Sequence, residues 1–170
     1  SADYKETCAS KKNNCPVTKL LGSADYWAEV EAWREALAPV YLFLTSVDTW
    51  KPSMHLIVKQ SSAVRIHYES STFTHAPQLL AIWLKDWKYM HSPLHSAAYL
   101  LDPSNRCEFQ MMRDPVHWST FLDVTARILG PEQGSYAVEQ YQMFQEGAGL
   151  FGTQMAKQSM TRSEPYSWWQ

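Results

Sequence analysis

Six of the nine prolines stand where a helix would begin, and this punctuation constrains the fold more than any other feature of the sequence. Proline lacks the N–H that the first helical turn leaves unpaired anyway, and its fixed φ suits that position. Pro52, Pro77, Pro93, Pro115, Pro131 and Pro165 each open a run containing apolar side chains. The best-punctuated stretch is SPLHSAAYLLDP, Ser92 to Pro103. Ser92 reads as an N-cap, Pro93 takes the first helical position, Pro103 ends the element, and Leu94, Ala97, Ala98 and Leu101 form a narrow apolar face.

A longer pattern starts at Ser23, a second N-cap, with Asp25 and Glu29 near the positive end of the helix dipole. Trp27, Val30, Leu37, Tyr41, Leu44 and Val47 form one stripe, expected to face the core. Pro39 lies inside it, so the helix is expected to kink or restart there, with two helices of about three turns as the alternative. After a turn from Asp48 to Ser53, Pro52 is expected to open a helix carrying Met54, Ile57, Val58, Ser61, Arg65 and Tyr68 on one side. Residues 64 to 68 also alternate as a strand would, but their neighbours are helical and helix is the expectation.

Further on, Leu79, Leu80, Trp83, Leu84, Trp87 and Met90 follow Pro77 at helical spacing. Trp118, Phe121, Leu122, Thr125, Ile128 and Leu129 lie between Asp114-Pro115 and Gly130, and Tyr136, Val138, Tyr141 and Phe144 between Pro131 and Gly147. Residues 1–22 are a polar lead-in that turns helical only near Val17 to Leu21. The expected fold is all-α, with seven or eight helices joined by short turns in one helical domain spanning 23–170.

Composition sets the remaining bounds. The hydrophobic class makes up 45% of the 170 residues and charged residues 19%, far from the composition of disorder. The net charge of −2 offers no basic field for nucleic acid. Cys8, Cys15 and Cys107 are an odd set with no paired spacing, which argues against a disulfide framework or zinc knuckle and for a reducing intracellular compartment. No apolar run approaches the roughly 20 residues of a membrane span. The start without Met and the stop after Trp168-Trp169-Gln170 read as an excised or truncated fragment.

No constellation of catalytic residues stands out. The glycines at 147, 149 and 152 lack the Lys-Ser/Thr and the strand of a phosphate loop. Glu29, Glu31 and Glu35 are expected on a solvated helix face; Asp86, Asp102, Asp114 and Asp123 could be proposed as magnesium ligands, but Asp102 and Asp114 are better explained as turn and cap residues beside prolines, and no active site assembles. Trp83 and Trp87 are expected in the core rather than as a stacking platform for bases. His91 and His95 are four apart, as metal ligands on one helix would be, but Pro93 lies between them. His95 is expected to be a buried, hydrogen-bonded side chain.

Three blocks resemble the C-terminal half of a hAT-superfamily transposase of the plant type. They are SADYWAEVEAWREALAPVYLFLTSVDTWKPSMHLI (23 to 57), WLKDWKYMHSPLHSAAYLLDP (83 to 103) and EQYQMFQEGAGLFGTQMA (139 to 156) with EPYSWW (164 to 169). The matching positions are Trp83, Pro93, Leu94, His95, Ala97, Ala98, Leu101 and Pro103, then Tyr141, Leu150, Phe151, Gly152, Pro165, Trp168 and Trp169. Ser92 departs from the family's usual His, and 58–76 and 104–117 match poorly.

The resemblance implies the helical insertion of an RNase H-like core, just upstream of the dimerisation segment, with a structural role for these residues. In that family the three metal-binding acids lie outside the matched region, so the implied chain is not itself an enzyme and has no catalytic, cofactor or metal residue, while the parent uses Mg or Mn. The implied partners are DNA, other segments of the same transposase and a second copy, with no membrane, and the implied location is the nucleus. The rival expectation is a free-standing helical interaction module, a domesticated fragment.

Overall fold

The computed structural model describes residues 16–106 and 115–170. The fold is all-α: among the described residues there are eight α-helices and no strand. They are α1 (Pro16–Leu21), α2 (Ala24–Val47), α3 (Ile57–Ser70), α4 (Ala76–Met90), α5 (Pro93–Leu100), α6 (Pro115–Glu146), α7 (Gln154–Ser159) and α8 (Pro165–Trp168). Three 3-10 turns, Met54–Leu56, Pro103–Asn105 and Gly149–Gly152, join them. The lead-in before Pro16, all three cysteines and the Asp114 cap lie outside the described residues.

Two cores divide the work. In the first, α2, α3 and α4 enclose Phe43, Val64, Tyr68 and Trp83. Phe43 and Trp83 meet edge to face with centroids 5.1 Å apart, a pairing that contributes about 1 kcal/mol beyond the area buried. In the second, α5 and α6 enclose Ala97, Leu100, Phe121, Val124, Tyr141 and Phe144, with Met160 just beyond α7. The Met54–Leu56 turn and α3 pack on α5 and tie the cores together.

Several expectations about faces change. α2 runs unbroken through Pro39. The carbonyl that Pro39 frees belongs to Glu35, an exposed residue where solvent can satisfy it. Most of its predicted stripe faces water: Trp27 is 51% and Tyr41 67% exposed, and Leu37 and Leu44 are exposed too. The buried line is Ala36 and Phe43 with half-buried Val40 and Val47; Phe43, Val40 and Val47 pack into the core with Val64, Tyr68 and Trp83. Pro52 does not open α3; Ser53 instead donates its hydroxyl to the Val47 carbonyl at 3.0 Å, holding the turn against the end of α2.

In α5 the buried face is Ser96, Ala97 and Leu100, so Leu94 and Leu101 lie at its edge. Gly130 interrupts α6 with φ +79, where the sequence placed a stop, and Pro131 restarts it. Its two arms close on each other, with Gly134 buried in the second arm. Among the described residues no helix is long and apolar enough to cross a membrane.

Candidate functional site

Between α5 and the two arms of α6 lies a trough of about 580 Å³. Leu94, Ala98, Leu101, Ile128 and Leu129 form its walls, with Tyr141 and Trp169 beside them. Its polar atoms are largely engaged. The Thr125 hydroxyl donates to the Phe121 carbonyl at 2.7 Å, the Tyr141 hydroxyl accepts from Gln145 at 2.8 Å, and the Trp169 indole donates to the Leu101 carbonyl at 2.8 Å. Burial pushes the Tyr141 phenol well above its ordinary range, against a smaller opposing effect of Gln145, so it stays protonated. Among the described residues the trough offers apolar contacts, and no side chain lining it is placed to move protons.

The C-terminal segment seals one side. Pro165 opens α8, and Trp168 donates its indole N–H to the Ala156 carbonyl at 3.2 Å. Phe144, fully buried, touches Phe151, Trp168 and Trp169 with centroids 5.7, 5.5 and 5.0 Å away. Behind it Arg106 is buried, its guanidinium over the Phe144 ring at 5.6 Å. Arg106 donates through Nε to the Gln145 carbonyl at 3.3 Å and through Nη1 to the Phe151 carbonyl at 3.2 Å, satisfying carbonyls at the end of α6 and in the turn after it.

The histidines form a polar joint where α4, α5 and α6 meet. Ser92 and His95 make a capping box: the Ser92 side chain accepts from the start of α5, and the Ser92 N–H donates to His95 Nδ1 at 3.1 Å. His91, the C-cap of α4, approaches His95 to 5.8 Å between ring centroids, although Pro93 puts them on different elements. Buried Ser96 links His91 Nε2 at 3.0 Å to His117 Nδ1 at 2.9 Å. Replacing His95 with alanine is expected to lower unfolding free energy by about 1 kcal/mol, the usual value of a cap, while zinc titration of the unmodified chain shows no stoichiometric site dependent on His91 and His95.

The joint also has a pH signature. Burial, then the charges of His95 and His117, hold the His91 imidazole below the usual histidine range, and burial does the same to His95. The unfolded chain therefore binds more protons than the native one below about pH 6.5. Stability is complete above that value, falls as the pH drops through it, and levels off below the folded-state values. Urea midpoints from pH 8 to 5 should follow this course, and a His91→Gln, His95→Gln double variant should flatten it, since glutamine at position 95 can still complete the capping box.

The structure gathers most motif residues and separates two. Ala97, Leu101, Tyr141, Phe151, Trp168 and Trp169 meet around Phe144 and the trough, and Pro93, Leu94, His95 and Ala98 sit along the adjoining helix. Trp83 belongs to the other core, and Leu150 is 84% exposed. Pro103 is buried at the start of its 3-10 turn, where the Asp102 carboxylate accepts from the Ser104 N–H at 2.9 Å, a capping role. Asp86 and Asp123 are exposed, Glu31 pairs with Arg34, and Asp114 lies outside the described residues. Among the described residues no group of three or more His, Cys, Asp or Glu converges as a metal site would.

Sequence reasoning did not single out Arg106 or Ser96. Arg106 carries no local signal, since its carbonyl partners are 39 and 45 residues away, and the partner that completes the Ser96 bridge, His117, is 21 residues away. No family model, curated protein or solved structure matches this chain.

Proposed function

We propose that the chain is a non-catalytic helical fragment of a hAT-like DNA transposase, a scaffold that helps organise DNA binding and dimer assembly. One observation supports this reading most: residues carrying the resemblance in two separate blocks pack on each other. Trp169 of the last block hydrogen-bonds Leu101 of the middle block, and Tyr141 and Ala97 share one core. A dispersed pattern that converges in space is what a shared fold would produce. In this reading its partners are DNA, other segments of the same transposase and a second copy, its location is nuclear, and the parent's Mg or Mn is held by acids outside this chain.

The reading frame around the chain tests this. Paired Asp motifs upstream and a Glu-Arg motif downstream are expected, and a frame lacking both overturns the proposal. Strand transfer by the isolated chain with Mg²⁺ or Mn²⁺ would overturn its non-catalytic part. The second reading, a free-standing helical interaction module, is favoured by the apolar stripe that α2 turns outward, including Trp27, Leu37, Tyr41 and Leu44. A native start codon and a stop after Gln170 would select it.

A further inference from the structure

The trough continues past its apolar walls. A second cavity, of about 470 Å³, shares Leu94, Val124 and Ile128 with it and adds Ser92, Pro93 and Arg127. The two form one groove running along α5 and the first arm of α6. Among the described residues, Arg127 is the single charged side chain lining either cavity, it is exposed, and it has no carboxylate partner.

We infer that this groove docks one amphipathic helix of a separate partner protein, with apolar side chains along the trough and a carboxylate reaching Arg127. Three features select that occupant. The walls stay partly in water, with Leu101 37%, Leu94 44% and Ile128 65% exposed, so whatever lies there keeps one face solvated. That suits a two-faced helix better than an acyl chain, which needs enclosure.

The walls are also helices, whose backbone groups are already paired along their length. An extended peptide would press its own N–H and C=O groups against apolar side chains without partners, whereas a helix satisfies them internally. Finally, the one charge that the described residues place on the rim is positive, so complementarity calls for an acid on the partner. From Leu94 to Leu101 the wall spans about two helical turns, room for anchors spaced i, i+3 or i+4, and i+7. The inference does not depend on the transposase reading.

Two designed helical peptides of about 15 residues test it, long enough to populate a helix. Both carry leucines at the anchor spacing; one places Glu, the other Lys, where the rim is reached. Fluorescence anisotropy with the full chain should give saturable one-to-one binding, with the Glu peptide about fivefold tighter at low salt. Arg127→Glu should reverse that preference. Leu94→Glu with Ile128→Glu, both at exposed positions that leave the fold intact by circular dichroism, should weaken the Glu peptide at least about tenfold.

Absence of saturable binding, equal affinity for the two peptides, or insensitivity to these substitutions overturns the inference. Stoichiometric displacement of the Glu peptide by laurate overturns it in favour of an acyl ligand. A dimer of the chain alone in sedimentation, lost in Leu94→Glu, overturns it in favour of a second copy.

Discussion

Phe144→Ala is expected to lower the unfolding free energy by about 3–5 kcal/mol, the range for emptying a buried aromatic site. The ring has no exposure and lies within 6 Å, centroid to centroid, of Tyr141, Phe151, Trp168 and Trp169, with the Arg106 guanidinium on one face. Its loss leaves a cavity among side chains held on four separate elements, so collapse cannot fill it cheaply. It also strips the Arg106 charge of its aromatic neighbour. Urea denaturation followed by tryptophan fluorescence should show the midpoint falling. A loss below about 1 kcal/mol would mean that the rings do not pack as described.

Gly152→Ala is expected to cost about 3 kcal/mol, at the top of the range for overpacking. A Cβ on Gly152 would run into the Gly147 carbonyl oxygen, with the carbonyl carbon only 3.2 Å away. The obstacle is backbone, which cannot swing aside as a long side chain does. The strain passes to its neighbours, because the Phe151 carbonyl accepts from Arg106 and the Phe151 ring meets Trp168 and Trp169. Thermal unfolding is the check. Gly130→Ala gives a contrast of different origin, since a Cβ there meets nothing within 4 Å and the penalty comes from the positive φ alone.

How much could be read from the residues depends on whether the deciding interaction is local. Helix starts and stops are local: the Ser92-Pro93 cap, the Gly130 break and Pro165 all fall where chain stereochemistry puts them. Which face of α2 is buried is not local. That helix carries two apolar lines, one through Trp27, Leu37 and Tyr41 and one through Ala36, Val40 and Phe43, and periodicity cannot choose between them. Trp83, forty residues on from Phe43, makes the choice. Pro39 does not force a restart, for a similar reason: tertiary packing on either side of it outweighs one missing hydrogen bond.

The candidate site divides the same way. Leu94, Ala98 and Leu101 were legible as one apolar face because α5 is short and well capped. That they border an open trough depends on where the arms of α6 lie, and Gly130 sets that angle without naming it. His95 carried a half-legible role: its spacing from Ser92 is that of a capping box, with imidazole where glutamate or glutamine is usual.

The hydrogen bond from Trp169 to Leu101 spans 68 residues. A ribosome adding about 5–20 residues per second needs roughly 3–14 s to produce that stretch. Over that interval the Leu101 carbonyl has no indole partner, and Phe144, made 25 residues before Trp169, waits roughly 1–5 s for the last of the three rings that enclose it. The aromatic cluster therefore cannot close until synthesis has passed Trp169, seconds after Phe144 is made and longer than hydrophobic collapse needs.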